Sequence, residues 1–282
     1  MPVAIISDST CDLSPPEALS QGIDLVPILV RFGAAEYRDG VDLQLADFYR
    51  RLDPAGELPT TAPPPADAFA RAFKKHVDAG QQVLCLTVSS KISQTYTNAE
   101  KAAAGFPGQV HVIDTKSLSG GAALLATGAA RLAHGGADAS AIRASIARWI
   151  ESQHGFAAYP DLQFLAKSGR INKAQLVLGQ MMHVVPIVRL DGDGTLKAEA
   201  NVKTFELAKA MIVDIVVRRL EHPERARITI VHSHDPALAV YVEAELRKKL
   251  TANPKELTVH EAGPTIAANS GPGGIGIFTI EE

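Results

Sequence analysis

In the N-terminal half of the chain, a short apolar run three times ends in a loop of hydroxyls and gives way to a helical pattern. The runs are "VAIISDST", "QVLCLTVSS" and "QVHVIDTKS". Ahead of the second, "ADAFARAFKKHVDAG" sets Phe69, Ala72, Phe73 and Val77 at helical spacing, with Gly80 to end the helix. "SQTYTNAEKAAAG" follows the second run, and "GGAALLATGAARLAHGG" and "SAIRASIARWIES" follow the third. Strands that alternate with helices predict a parallel sheet covered by helices on both faces. Crossover connections bring the carboxyl ends of such strands to one edge. Open α/β sheets bind ligands beyond that edge. The loops "SDSTCD", "TVSSKISQT" and "IDTKSLSGG" are therefore expected to converge on a site.

Between the first two of these strands, "VPILVRFGAAEYRDGVDL" reads as a small β excursion over about residues 26–45, with Asp39-Gly40 as its turn. The second half changes character. "HVVPIVRLDGDGTLKAEANV" predicts two strands joined by the turn at 191–194, and "TFELAKAMIVDIVVRRLE" predicts a helix. "RITIVHSHD" and "ELTVHEAG" predict strands around the helix "PALAVYVEAELRKKLTAN", and the chain closes on "GIGIFTIE". That order predicts an α+β domain with a mixed sheet. With 282 residues, two domains are expected, 1–158 and 159–282.

Composition removes several functions. A net charge of −3 argues against a broad nucleic-acid-binding face. No apolar run reaches the ~20 residues of a membrane span, since "IDLVPILVRF" is broken by Asp24, Pro27 and Arg31. The start "MPVAIISDST" lacks a basic segment and turns polar at Ser7, so it does not read as a signal peptide. Cys11 and Cys85 give neither metal spacing nor a disulfide framework. A cytoplasmic protein is expected.

The candidate site residues are mostly neutral. In "SSKISQTY", Ser90 and Ser93 supply hydroxyls at the start of a helix, where unpaired amides attract anions; simple capping is the competing reading. Thr60 and Thr61 precede three prolines, which hold them extended toward a cleft or in a rigid loop. Ser117 lies in the third convergent loop. Lys167 and Arg170 flank Gly169 near the domain boundary, where a guanidinium suits a carboxylate or phosphate. His232 and His234 share a face if both lie on a strand, but no third metal ligand is specified, so no metal is expected. No G-x-S-x-G, Walker A or well-formed G-x-G-x-x-G occurs. Asp8 and Asp114 end strands and can act as acid or base, yet nothing pairs them with a nucleophile. These residues suit holding an anion better than breaking a bond. Two alternatives stay open: a hydrolase or acyl-transfer enzyme with Ser93 as nucleophile, and a phosphate binder using the glycine-rich C-terminal loop.

Six motifs then fall in order: "SDSTCDL", "PTTAPP", "SSKISQTYTNA", "VIDTKSLSGG", "LQFLAKSGRI" and "GPTIAANSGPGGIG". Together they resemble the DegV family of bacterial fatty-acid-binding proteins, across the whole chain. The resemblance implies a two-domain α/β carrier without catalysis of its own and without a cofactor. One long-chain fatty acid would lie in an apolar inter-domain tunnel. A separate ATP-dependent fatty-acid kinase would convert it to an acyl phosphate for phospholipid synthesis. By motif, Thr61 and Ser93 would hydrogen-bond the carboxylate, Arg170 would lie near it, Ser9 and Thr10 would stand close by, and Asn269 would cap that end of the pocket. The chain departs from the family pattern at Lys91 and Gln94, where glycine is common, at Ser168 in "KSGR", at Pro64, where a capping serine is usual, and at Asn269, where histidine often stands.

Overall fold

The structure, a computed structural model, describes residues 1–52, 56, 58–170 and 184–282. The N-terminal part runs β1 (Val3–Asp8), α1 (Pro15–Ser20), β2 (Ile23–Val26), β3 (Leu29–Phe32), β4 (Ala35–Arg38) and α2 (Leu45–Arg51). It continues through β5 (Thr60–Ala62), α3 (Ala66–Asp78), β6 (Gln82–Thr87), α4 (Thr95–Ala103), β7 (Val110–Asp114), α5 (Ser119–His134) and α6 (Ala139–Ser152). The C-terminal part runs β8 (His154–Ala158), α7 (Gln163–Ser168), β9 (Val185–Leu190), β10 (Leu196–Val202) and α8 (Phe205–Arg219). It ends with β11 (Ala226–His232), α9 (Pro236–Lys249), β12 (Glu256–Glu261), α10 (Pro264–Ser270) and β13 (Ile275–Glu281).

The first sheet is parallel, in the order β2-β1-β6-β7. Its central strands β1 and β6 are apolar on both faces because both are covered. Ala4, Ile6, Val83 and Cys85 pack against Phe69 and Phe73 of α3 and Ala99 of α4. Their neighbours Ile5, Leu84 and Leu86 point the other way, onto Leu124, Leu125, Ile142 and Ile146 of α5 and α6. The second sheet is mixed, in the order β10-β9-β8-β13-β11-β12, with only β11–β12 parallel. Ile187, Ile228, Ile230 and Ile277 face α8 and α9. Val231, Phe278 and Ile280, on the opposite face, join the same cluster as α5.

α5 therefore lies between the two sheets, and the layers run α3/α4, parallel sheet, α5/α6, mixed sheet, α8/α9. A helix that is apolar all round belongs in such a place. Its glycines permit close approach: a Cβ on Gly120 would stand 2.8 Å from the Phe278 ring and 2.9 Å from the side-chain methyls of Thr229 and Val231.

The expected division at 158/159 assigns β8 to the N-terminal domain, yet β8 is hydrogen-bonded between β13 and β9 of the C-terminal sheet. "HGFAA" is too short and too small to show a strand period. The β excursion exists: β3 and β4 are joined by a turn at Gly33, which has φ +57°, and the expected turn at Asp39-Gly40 follows β4, with Gly40 at φ +72°. Its third strand, β5, comes from outside the expected span and pairs Thr61 with Val30. No helix among the described residues is long and apolar enough to cross a membrane.

Candidate functional site

Two buried or loop-bound carboxylates arrange the strand ends. Asp8 is fully buried at the end of β1; it accepts from the N–H and hydroxyl of Thr10 and, at 2.7 Å, from the N–H of Val88 beyond β6. Burial raises its pKa, while these bonds oppose the shift. Asp114, at the end of β7, accepts from the N–H of Ser90 at 3.1 Å and of Lys116 at 2.9 Å. Both groups stitch neighbouring loops together, so their role is structural and not that of the acid or base considered from sequence.

Beyond this edge lies a narrow cleft, partly open to solvent. Ile28, Val88, Leu118, Leu165, Leu196 and Ile266 form an apolar wall, and Thr61, Ser93, Arg170 and Asn269 converge in the same lining. β5 holds Thr61, the turn ahead of α4 holds Ser93, the end of α7 places Arg170, and α10 carries Asn269. The Ser93 hydroxyl lies 2.8 Å from that of Thr95 and accepts the Thr95 N–H at 3.3 Å, so it closes the turn into α4 while facing the cleft.

Arg170 is the centre of this group. Its Nη1 donates to the Ser168 carbonyl at 3.0 Å and to Asn269 Oδ1 at 2.8 Å, and its Nη2 donates to Thr61 Oγ1 at 3.2 Å. The Asn269 amide nitrogen in turn donates to the Thr265 carbonyl at 2.7 Å and to Thr61 Oγ1 at 3.4 Å. Asn269 thus orients the guanidinium with its oxygen and keeps its N–H groups for the protein. All of these partners are neutral, and no carboxylate among the described residues pairs with Arg170. Its Nε–H bonds to no other described residue. Burial lowers the pKa of Arg170, the direction that desolvation gives a cation.

The glycines after α10 serve packing. A Cβ on Gly271 would stand 2.5 Å from the Phe164 ring, on Gly274 2.6 Å from Tyr159, and on Gly273 3.0 Å from Pro160. Gly271 and Gly273 also have φ of +71° and +78°. They let this loop lie directly against residues 159–164, and the Gly271 and Gly273 N–H groups donate to the Ala267 and Ser233 carbonyls.

A sequence profile whose family is described as uncharacterised DegV proteins matches residues 2–282. The chain belongs to the DegV family. A DegV domain-containing protein of Halalkalibacterium halodurans is 30% identical over 277 residues, covering 98% of this chain and 97% of the relative. A DegV family protein from Thermus thermophilus, described by its fatty acid binding, superposes with a TM-score of 0.92 at 28% identity, with 100% of each chain covered. A stearic-acid-binding protein from Eubacterium ventriosum superposes with a TM-score of 0.91 at 25% identity, covering 99% of this chain and 98% of that one.

Against this DegV fold, the sequence-derived candidates divide. Thr10 joins Thr61, Ser93, Arg170 and Asn269 in the cleft. Ser9 is buried beneath it, donating to Asp39 at 2.9 Å and accepting from the Ile28 N–H at 3.0 Å. Thr60 is exposed on β5, Ser90 is exposed, and Ser117 is fully buried; none of the three lines the cleft. His232 and His234 do not share a face. His232 ends β11 and accepts the Asp235 N–H, whereas His234 has φ +58° and stacks on Tyr49 at 4.0 Å. No cluster of three metal-ligating side chains occurs among the described residues. Sequence reasoning missed Tyr159, Leu196 and Thr265 in the lining; Thr265 sits inside the "GPTIAANS" motif, which was the available signal.

Proposed function

We propose that this protein binds a long-chain fatty acid in the cleft and carries it, without chemistry of its own, to a separate fatty-acid kinase in the cytoplasm. The observation that supports this most is Arg170, half-buried, held by neutral groups, and set in the lining of an apolar cleft. Such a guanidinium favours an anion, and the wall beside it favours a hydrocarbon. The fatty acid binding described for the Thermus and Eubacterium relatives supports the same ligand. Burying about 14 methylenes contributes roughly 10 kcal/mol gross. A hydrogen bond to the charged head adds about 1.5–3 kcal/mol, against a desolvation cost of several. The tail supplies most of the affinity; Arg170, Thr61 and Ser93 fix where the carboxylate sits.

A direct test is to purify the protein, extract it with organic solvent and analyse the extract by mass spectrometry. A stoichiometric long-chain acid is expected. An empty extract together with no binding of added palmitate or oleate would reject the proposal. Ser93 as a nucleophile has little to recommend it, because its hydroxyl partner is Thr95 and no histidine among the described residues lines the cleft.

Asn269 gives a second expectation. An amide does not become positive, whereas imidazole titrates near neutrality. The Asn269→His variant should therefore bind palmitate with a steeper pH profile than the wild type between about pH 6 and 7. Superimposable titrations of the two proteins would remove any such role for this position.

A further inference from the structure

The short helix that carries Asn269 is held at its start by carboxylates from the other end of the chain. Asp39 is buried in the turn after β4. Its Oδ2 accepts from the Ser9 hydroxyl at 2.9 Å, from the Thr265 N–H at 3.3 Å and from the Thr265 hydroxyl. Asp12, also buried, accepts from the Gly263 N–H at 2.8 Å and from the Ser119 hydroxyl. α10 has seven residues, too few to persist as a helix without tertiary support. The bonds then continue in series. The Thr265 carbonyl accepts from Asn269, and Asn269 accepts from Arg170.

We propose that Asp39 is a positioning residue for the carboxylate end of the cleft, acting on Arg170 through Thr265 and Asn269. Displacing Thr265 turns the Asn269 amide and takes away the acceptor that aims the guanidinium. The inference rests on the reading that the cleft takes a fatty-acid carboxylate.

The surroundings of Asp39 make the device sensitive to protons. It lies against a second cavity, distinct from the cleft, that Asp12, Glu17, His260 and Glu261 also line. Asp8 stands nearby at the end of β1, and the adjacent Arg38 is engaged by Asp42. Burial first, and then Asp8, push Asp39 up to about 6, and burial pushes Asp12 up to about 7. Charged Asp39 is the stronger acceptor for Thr265, because charge-assisted bonds are roughly twice as strong as neutral ones. Stability runs the other way. A carboxyl whose folded pKa lies above its unfolded value contributes most when both states are protonated, and that contribution is lost as pH rises through about 6.

The test compares wild type, Asp39→Asn and Thr265→Val for binding of palmitate and of hexadecanol at pH 8 and pH 5.5, with thermal melts at each pH. At pH 8, Asp39→Asn should bind palmitate about fivefold more weakly than wild type, with hexadecanol unchanged. At pH 5.5 the palmitate ratio should approach one. Over the same range the melting temperature of Asp39→Asn relative to wild type should be higher at pH 8 than at pH 5.5. Affinity and stability thus move in opposite senses, which a merely structural residue does not produce. Equal losses for palmitate and hexadecanol, or a palmitate ratio that is the same at both pH values, overturn the inference. If Asp39→Asn does not fold, Thr265→Val removes one of the bonds from the other side; because Thr265 also lines the cleft, it is read by palmitate alone, whose deficit against wild type must be larger at pH 8 than at pH 5.5, and an equal deficit at both overturns the inference. Failure of the wild type itself to bind palmitate would instead reject the fatty-acid reading, and this inference with it.

Discussion

Replacing Phe278 by alanine is expected to lower the free energy of unfolding by about 3–5 kcal/mol. The ring lies between α5 and the mixed sheet with 5% of its surface exposed. Its neighbours are largely glycines: a Cβ would stand 2.8 Å from it on Gly120 and Gly155, 3.0 Å on Gly276 and 3.3 Å on Gly121. Main chain therefore forms much of the wall around the ring. Side chains can swing into a void, but a helix and a sheet held by their own hydrogen bonds cannot, so little of the cavity will close. That argues for the upper part of the range. Denaturant midpoints at unchanged slope are the measurement, with a fall in melting temperature of roughly 6–20 °C. Phe278→Leu should recover a good part of the loss. A cost below about 1 kcal/mol would mean that the layers repack freely and that the glycine shell is not what seats the ring.

The second large effect concerns ligand binding. Arg170→Met keeps an unbranched apolar stem and removes the cation. On the proposed function, palmitate affinity should fall about 10- to 100-fold, the equivalent of about one charge-assisted hydrogen bond. Hexadecanol, which has the same tail and no charge, should bind nearly as before. Isothermal titration or displacement of a fluorescent acid measures both. Equal weakening of the two ligands would place the role of Arg170 in the shape of the cleft; an unchanged palmitate affinity would move the carboxylate elsewhere.

What the sequence revealed and what it hid follow from length and distance. β1, β6 and β7 were legible because each is an apolar run, buried in β1 and β6 and half-buried in β7, that ends in hydroxyls before a clear helix. β5 has three residues and β8 reads "HGFAA", so neither shows a period that can be distinguished from a loop. α10 was read as a cap in a glycine-rich loop. Its helical form depends on Asp12 and Asp39, and the Thr265–Asp39 bond joins residues 226 positions apart. Thr61 and Arg170 stand out from their local sequence and Asn269 through the family motif, yet the way they bond to one another appears only once β5, α7 and α10 meet. The DegV resemblance pointed to positions; the fold supplied the orientation of Asn269, which faces Arg170 with its oxygen.

The placement of α5 bears on how this molecule can come apart. One helix belongs to the cores of both sheets, because Leu124, Leu125, Val231 and Phe278 share a single cluster. Neither half owns that cluster, so releasing one half strips the other of part of its interior. The two halves are thus two sides of one cooperative unit, and a cleft lined by both inherits its rigidity from their common seam.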